Sequence, residues 1–251
     1  MSEPRFTPRQ AVENRLRARG VSTEDIRIGK KILISWTENW AKDLADALGA
    51  TTAPHTTFTE TYWTRTVDND KGGISVVFAP IGAPGTIMIM EDLIAFGAKE
   101  IVGVGAAGAL DSNHPIGNIL IPNQVEIIDE GTSSHYPDAD RPIANHNLVE
   151  KLTNLIQEHG GQSAQGDWWT TDGFYREMND QIEAYISRGI LGVDMESSAM
   201  YRLAKHKGVS ACNMLVVSDE LWNRWNYGLN FSEFKNGVRA MHAAAVNWAR
   251  L

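Results

Sequence analysis

The chain has 251 residues, 43% hydrophobic and 22% charged, with a formal net charge of −8. This is ordinary globular usage, enough for one sizeable α/β core, and the negative balance argues against a partner held through nucleic-acid phosphates. The lone cysteine, Cys212, excludes an internal disulfide and fits a reducing cytoplasm; the polar opening Met1 to Gln10 has no signal-peptide core, and no apolar run is long enough to cross a bilayer.

In chain order, residues 8–29 read as helical, so residues 1–30 are expected to form an N-terminal extension to one domain over 31–251. Lys31 to Trp36 reads as a short buried strand, with Thr37 as N-cap of a helix reaching about Leu48. Thr59 to Val67 and Ile74 to Ala79 follow as strands. Gly82-Ala83-Pro84-Gly85 then leads into a helix ending near Phe96. Ile101 to Val104 reads as a strand running into a glycine-rich stretch, Gly103 to Gly108. Ile119 to Ile128 reads as one or two strands broken at Pro122-Asn123. Helix 145–158, strand 164–170 with Trp168 and Trp169 in the core, helix 178–187 and helix 196–207 come next. Val209 to Val217 is apolar nearly throughout, the pattern of a strand buried on both faces. A helix from about Ser232 to Arg250 closes the chain. Alternating strands and helices imply a single α/β domain, with a central mixed, mostly parallel sheet flanked by helices. Ligands in such sheets bind at the carboxyl ends of the strands.

Several segments at those ends carry chemistry-bearing residues. Gly82 to Thr86 allows close backbone approach to a ligand. Gly103-Val104-Gly105-Ala106-Ala107-Gly108 lacks dinucleotide-fingerprint spacing and is followed by Asp111 to Pro115 rather than a helix. No cofactor and no metal are expected. Asp129 to Tyr136 is a polar run that, alone, reads as a solvated loop. Asp194 and Glu196 stand at a strand-to-helix junction, where acids are often helix-capping decoration. Ser218-Asp219-Glu220 follows the buried strand, and a carboxyl partly withdrawn from water there is suited to general-acid work.

Taken together and in order, IGAPGT, VGAAGAL, DEGTSSHY, WTTDGFYRE, VDMESSAMY and VVSDEL resemble the successive motifs of the type-I nucleoside phosphorylases. That family includes purine nucleoside phosphorylases, uridine phosphorylases and methylthioadenosine nucleosidases. The resemblance covers about residues 31–250. It implies that Glu196 binds the ribose hydroxyls, that Met195 packs on the sugar and that Asp219 protonates the base. It also implies base stacking by Phe174 and Tyr175, and a substrate-side position for Gly108 and Arg176. By the same resemblance a dimer or hexamer is expected. Met178 and Asp180 stand where uridine phosphorylases read uracil with glutamine and arginine, which tilts the base toward a purine.

The departures concern phosphate, which needs cationic and hydrogen-bonding ligands. The family's Gly-Asp-Pro loop with its arginine is replaced by Ser35-Trp36-Thr37-Glu38-Asn39-Trp40. An arginine corresponds to Gly103, a serine or threonine to Ala106, and a subunit-donated arginine to Thr56 after His55. Arg65 and Arg176 are the candidates to compensate. Water becomes the favoured acceptor, with Glu38 as candidate base. A phosphorylase with a divergent phosphate site is the alternative, and a nucleoside-binding protein without turnover is the second. The aromatic run Trp222 to Tyr227 reads equally as a lid beside the site or as ordinary packing or a subunit contact.

Overall fold

A computed structural model describes residues 4–20, 22, 24, 26–52, 62–67, 72–136 and 141–251. It opens with α1 (Pro8–Ala18), shorter than the helix expected over 8–29. Thr7 and Gln10 close a capping box at its start, and Gly20 turns the chain in the left-handed region two residues past its end. Val12 and Leu16 are buried, and Arg15 lies 3.6 Å from Asp92. The extension therefore packs on the body of the protein.

Then come β1 (Lys31–Ser35), α2 (Glu38–Leu48), β2 (Thr51–Thr52), β3 (Trp63–Val67), β4 (Ile74–Phe78) and α3 (Ala83–Ala95). Ile32, Leu33 and Ile34 are consecutive and fully buried. That is the signature of a strand covered on both faces, and each such side chain stabilises by ~1.5–3 kcal/mol. The expected strand start at residues 59–61, and His55 and Thr56, lie outside the described residues.

The second half holds β5 (Glu100–Ala109), β6 (Ile119–Ile127), α4 (His146–Glu158), β7 (Ser163–Thr170), α5 (Asn179–Ser187) and β8 (Gly192–Asp194). It ends with α6 (Ser197–Lys207), β9 (Ser210–Glu220), β10 (Asn226–Tyr227) and α7 (Ser232–Arg250). The glycine-rich stretch into which the expected strand runs is itself the continuation of β5. Its residues stay in register with β9 from Glu100 to Ala107, and the pairing shifts only at Gly108. Residues 119–127 form a single strand; the break expected at Pro122 is a register shift against β7. Short β2 and β10 carry no usable sequence pattern, whereas β8 is the strand expected just before the Asp194–Glu196 junction.

The strands form one mixed sheet ordered β10-β9-β6-β7-β8-β5-β1-β4-β3-β2, and a further β9–β5 pairing bends its centre into a closed ring. Parallel pairing links β1 to β4 and β5, β5 to β9, and β7 to β6 and β8. The edge strands, together with β5–β8 and β6–β9, pair antiparallel. Contacts run from α2 to α7 to α4 in one helical series and from α1 to α3 to α6 in another. Trp168, Trp169 and Trp248 are buried in the interior. Among the described residues no helix is long and apolar enough to cross a membrane.

Candidate functional site

The closed ring brings Asp219 and the strand that leads to Glu196 to one residue of β5. Gly108 pairs with Val193 on β8 on one side and with Asp219 on β9 on the other. Glu196 follows Val193 by three residues, at the N-cap of α6. A methyl on Gly108 would come within 2.8 Å of Leu221 and 3.1 Å of Val193, so only glycine lets the three strands converge here. Just before it, Ala106 is exposed while Gly105 and Ala107 are buried, which marks an opening in the sheet.

Glu196 is 6% exposed, and its Oε1 accepts the Gly82 N–H at 2.6 Å. Gly82 can present that N–H because its φ is +96°, a conformation that side-chain-bearing residues avoid. Burial above all, then the charge of Asp194, raises Glu196 from 4.5 to about 8, against the pull of the Gly82 and Met195 backbone. Asp194 is itself held by Thr170 Oγ1 (2.8 Å), Ser197 N (3.0 Å) and Ser197 Oγ (2.5 Å). Burial pushes it up too. Met195, between the two acids, is half-buried.

Asp219 is half-buried. Its Oδ1 accepts the Ser218 hydroxyl at 2.7 Å and its Oδ2 the Trp225 indole N–H at 3.0 Å. Pairing of β10 with β9 sets Asn226 opposite Glu220 and Tyr227 opposite Asp219. Glu220 pins this hairpin, accepting from Ile116 N (3.1 Å) and Asn226 Nδ2 (2.9 Å). Trp225 and Tyr227 stack at 5.5 Å and stay exposed, so the aromatic run is a surface flap beside Asp219 rather than core packing.

The loop after β7 spans both acids. Glu130 fixes its start, accepting Asp172 N at 2.6 Å and Thr171 Oγ1 at 3.0 Å. Asp172 is raised by burial and by the charges of Asp129 and Glu130, and its own charge acts on Glu196. At the far end Glu177 is raised to about 7 by burial and then by Asp219. Between them Phe174 and Tyr175 meet edge to face at 5.0 Å, 52% and 92% exposed. Arg176 is exposed.

At the β1 end, the Trp36 ring lies over the glycines of β5. A methyl on Gly103 would come within 2.8 Å of the ring and 2.1 Å of Asn213 Oδ1; one on Gly105 would also meet the ring at 2.8 Å. The indole N–H donates to Thr86 Oγ1 at 2.8 Å, tying the ring to the first turn of α3. Glu38 begins α2, exposed, paired with Lys42 at 2.8 Å and lowered by it. Arg65 pairs with Asp46 at 3.1 Å and covers the Trp63 ring at 4.7 Å, so it does not compensate for missing phosphate ligands. Among the described residues no group of acids, histidines and cysteine could hold a metal ion.

Sequence reasoning missed Glu130, Glu177 and the position of Trp36. Each acts through a partner distant in sequence, apart from one available hint: a tryptophan facing a strand whose alternate positions are glycine.

With this geometry, the family model described as the phosphorylase superfamily matches residues 32–246. The chain belongs to that superfamily, and the likeness to nucleoside phosphorylases carried by its motifs is borne out. DeoD-type purine nucleoside phosphorylases from Bacillus cereus and Bacillus thuringiensis are each 30% identical over 151 residues, 59% of this chain and 64% of theirs. The match thus spans somewhat under two thirds of those relatives. A purine nucleoside phosphorylase from Toxoplasma gondii superposes with a TM-score of 0.78 at 23% identity, over 90% of this chain and 93% of that one. A uridine phosphorylase from Vibrio fischeri ES114 gives 0.78 at 21%, over 89% and 93%. These likenesses establish the shared α/β fold.

Proposed function

We propose that this protein cleaves the N-glycosidic bond of a purine-like nucleoside with water as acceptor. The carrying observation is Trp36. Its indole covers Gly103 and Gly105, the part of β5 where the family resemblance would set an arginine for phosphate. Carboxylates gather beside Glu196: Asp129 and Glu130 act on Asp172, and Asp194 and Asp172 act on Glu196. A dianion would meet repulsion there, whereas a sugar turning cationic would be stabilised.

In this reading Glu196 grips the ribose hydroxyls, Met195 packs on the sugar, Gly108 floors the cleft, and Phe174 and Tyr175 stack on the base, with Arg176 at the rim. As the C1′–N bond breaks, its electron pair goes to the base, which takes a proton from Asp219. Water then bonds to C1′ and gives up a proton. Glu38 is the proposed acceptor of that proton. A dissociative reaction asks little of its base, so even an exposed carboxylate held low by Lys42 suffices.

The test is a nucleoside panel incubated with and without phosphate, scoring free base and the sugar product. Release independent of phosphate, yielding free sugar, is expected. Phosphate-dependent release yielding sugar 1-phosphate would establish the second reading, phosphorolysis, which the names of the Bacillus relatives favour. Asp219→Asn should abolish most base release, by a factor of roughly 10²–10⁴, and leave nucleoside binding largely intact. Glu38→Gln should cost less than Asp219→Asn; the reverse order would remove the dissociative argument. Nucleoside-dependent thermal stabilisation without any base release would leave only a binding protein.

A further inference from the structure

We propose that Glu130 is a positioning residue for base recognition: it clamps the arm that carries Phe174 and Tyr175 in a set place relative to the helix that follows Glu196. The inference deepens the base-release reading above and rests on it.

The arm leaves the sheet at the end of β7, and its root is held by two other segments. One is the β8–α6 junction. Thr170 Oγ1 donates to Asp194 Oδ1 at 2.8 Å and accepts the Ser198 N–H at 3.1 Å, and the Thr171 N–H donates to Asp194 O at 2.9 Å. The other is the chain after β6, which supplies Glu130. Its two carboxyl oxygens each take one donor: Oε2 accepts the Asp172 N–H at 2.6 Å, and Oε1 accepts the Thr171 hydroxyl at 3.0 Å. Thr171 Oγ1 in turn accepts the Gly173 N–H at 3.1 Å. Gly173 O accepts the Arg176 N–H at 2.6 Å, closing the turn that holds Phe174 and Tyr175. Each step from Glu130 to the aromatic pair is thus a hydrogen bond or a short stretch of chain.

Glu130 is itself tied to the sugar side. The preceding Asp129 is 4% exposed; its N–H donates to Ser198 Oγ at 3.2 Å, and its Oδ2 accepts the Ser198 and Ser133 hydroxyls. Ser198 lies in the first turn of α6, two residues after Glu196. Its N–H serves Thr170 and its hydroxyl serves Asp129, so both supports of the arm meet at this one residue. Thr171 and Ser198 are buried, whereas Phe174 and Tyr175 are exposed. An exposed arm on a fixed root meets a flat base already ordered, which lowers the entropy cost of binding. Glu130 touches the arm and not the ligand, so its loss falls on the base and spares the sugar.

The test on the full chain is isothermal titration calorimetry with two separate probes: a free purine base, and an iminoribitol, a cationic sugar mimic that carries no base. Glu130→Ala should weaken base binding about tenfold and binding of the sugar mimic by less than about twofold. In kinetics KM should rise about tenfold, with kcat within about threefold and an unchanged thermal midpoint. Glu130→Gln keeps one acceptor oxygen for the two donors and should lose only about threefold in base affinity. Unchanged base affinity in both variants overturns the proposal. Equal weakening of the two probes, as a general loosening of the fold would produce, also overturns it. In either case base release by the wild type leaves the reading above intact. A wild type that neither binds a purine base nor releases base from any nucleoside overturns both.

Discussion

Glu196→Gln is expected to abolish activity and yet make the protein progressively more stable, relative to wild type, as the pH rises. The wild-type carboxyl is raised from 4.5 to about 8, chiefly by burial and then by Asp194. A group raised in the folded state contributes full stability below its unfolded value and loses it as pH climbs to the folded value. The interval from 4.5 to about 8, at about 1.4 kcal/mol per pH unit, comes to ~5 kcal/mol. Coupling to Asp194 shares that loss, so a difference of ~2–5 kcal/mol is expected. Glutamine keeps an oxygen for the Gly82 N–H but brings an amide N–H₂ without an assigned acceptor, a pH-independent cost of ~1–3 kcal/mol. The variant should therefore be the weaker protein near about pH 5 and gain ground steadily up to about pH 9. Asp92 and Glu177, also raised to about 7, are common to both proteins and cancel in the difference. Urea unfolding across that range reads the effect. Two stability curves running parallel to within ~0.5 kcal/mol would refute the claim that a buried, charge-crowded carboxyl sits at the sugar site.

Gly103→Ala should lower stability by ~1–3 kcal/mol in denaturant unfolding, because the new methyl meets Asn213 Oδ1 at 2.1 Å and the Trp36 ring at 2.8 Å. A neutral result would mean the ring is not packed on β5. Trp225→Phe keeps an aromatic flap but removes the donor to Asp219 Oδ2 at 3.0 Å. For an exposed bond worth ~1 kcal/mol, kcat should drop about fivefold in a base-release assay, with the melting temperature unchanged.

The framework was legible because the signals are local. Ile32 to Ile34 and Val209 to Val217 announce buried strands through composition. The motif order singled out two acids; β5 pairs at Gly108 with Asp219 of β9 and with Val193 of β8, three residues before Glu196. What stayed hidden is non-local. Gly103 to Gly108 is only a glycine-rich stretch until Trp36 and Asn213 are seen filling the space where side chains would be. Glu130 looks like a solvated loop acid until Asp172 and Thr171 are found bonded to it. The pairing of Glu38 with Lys42 had no sequence signal beyond the one-turn spacing.

The bond from the Gly82 N–H to Glu196 has a calorimetric corollary. Near neutrality this carboxyl holds a proton more often than not, since its value lies at about 8. A sugar diol offers two hydroxyl donors and is best received by the ionised form. Docking a nucleoside should thus expel a proton into the medium, and the heat recorded in a titration should vary with the ionisation enthalpy of the buffer chosen.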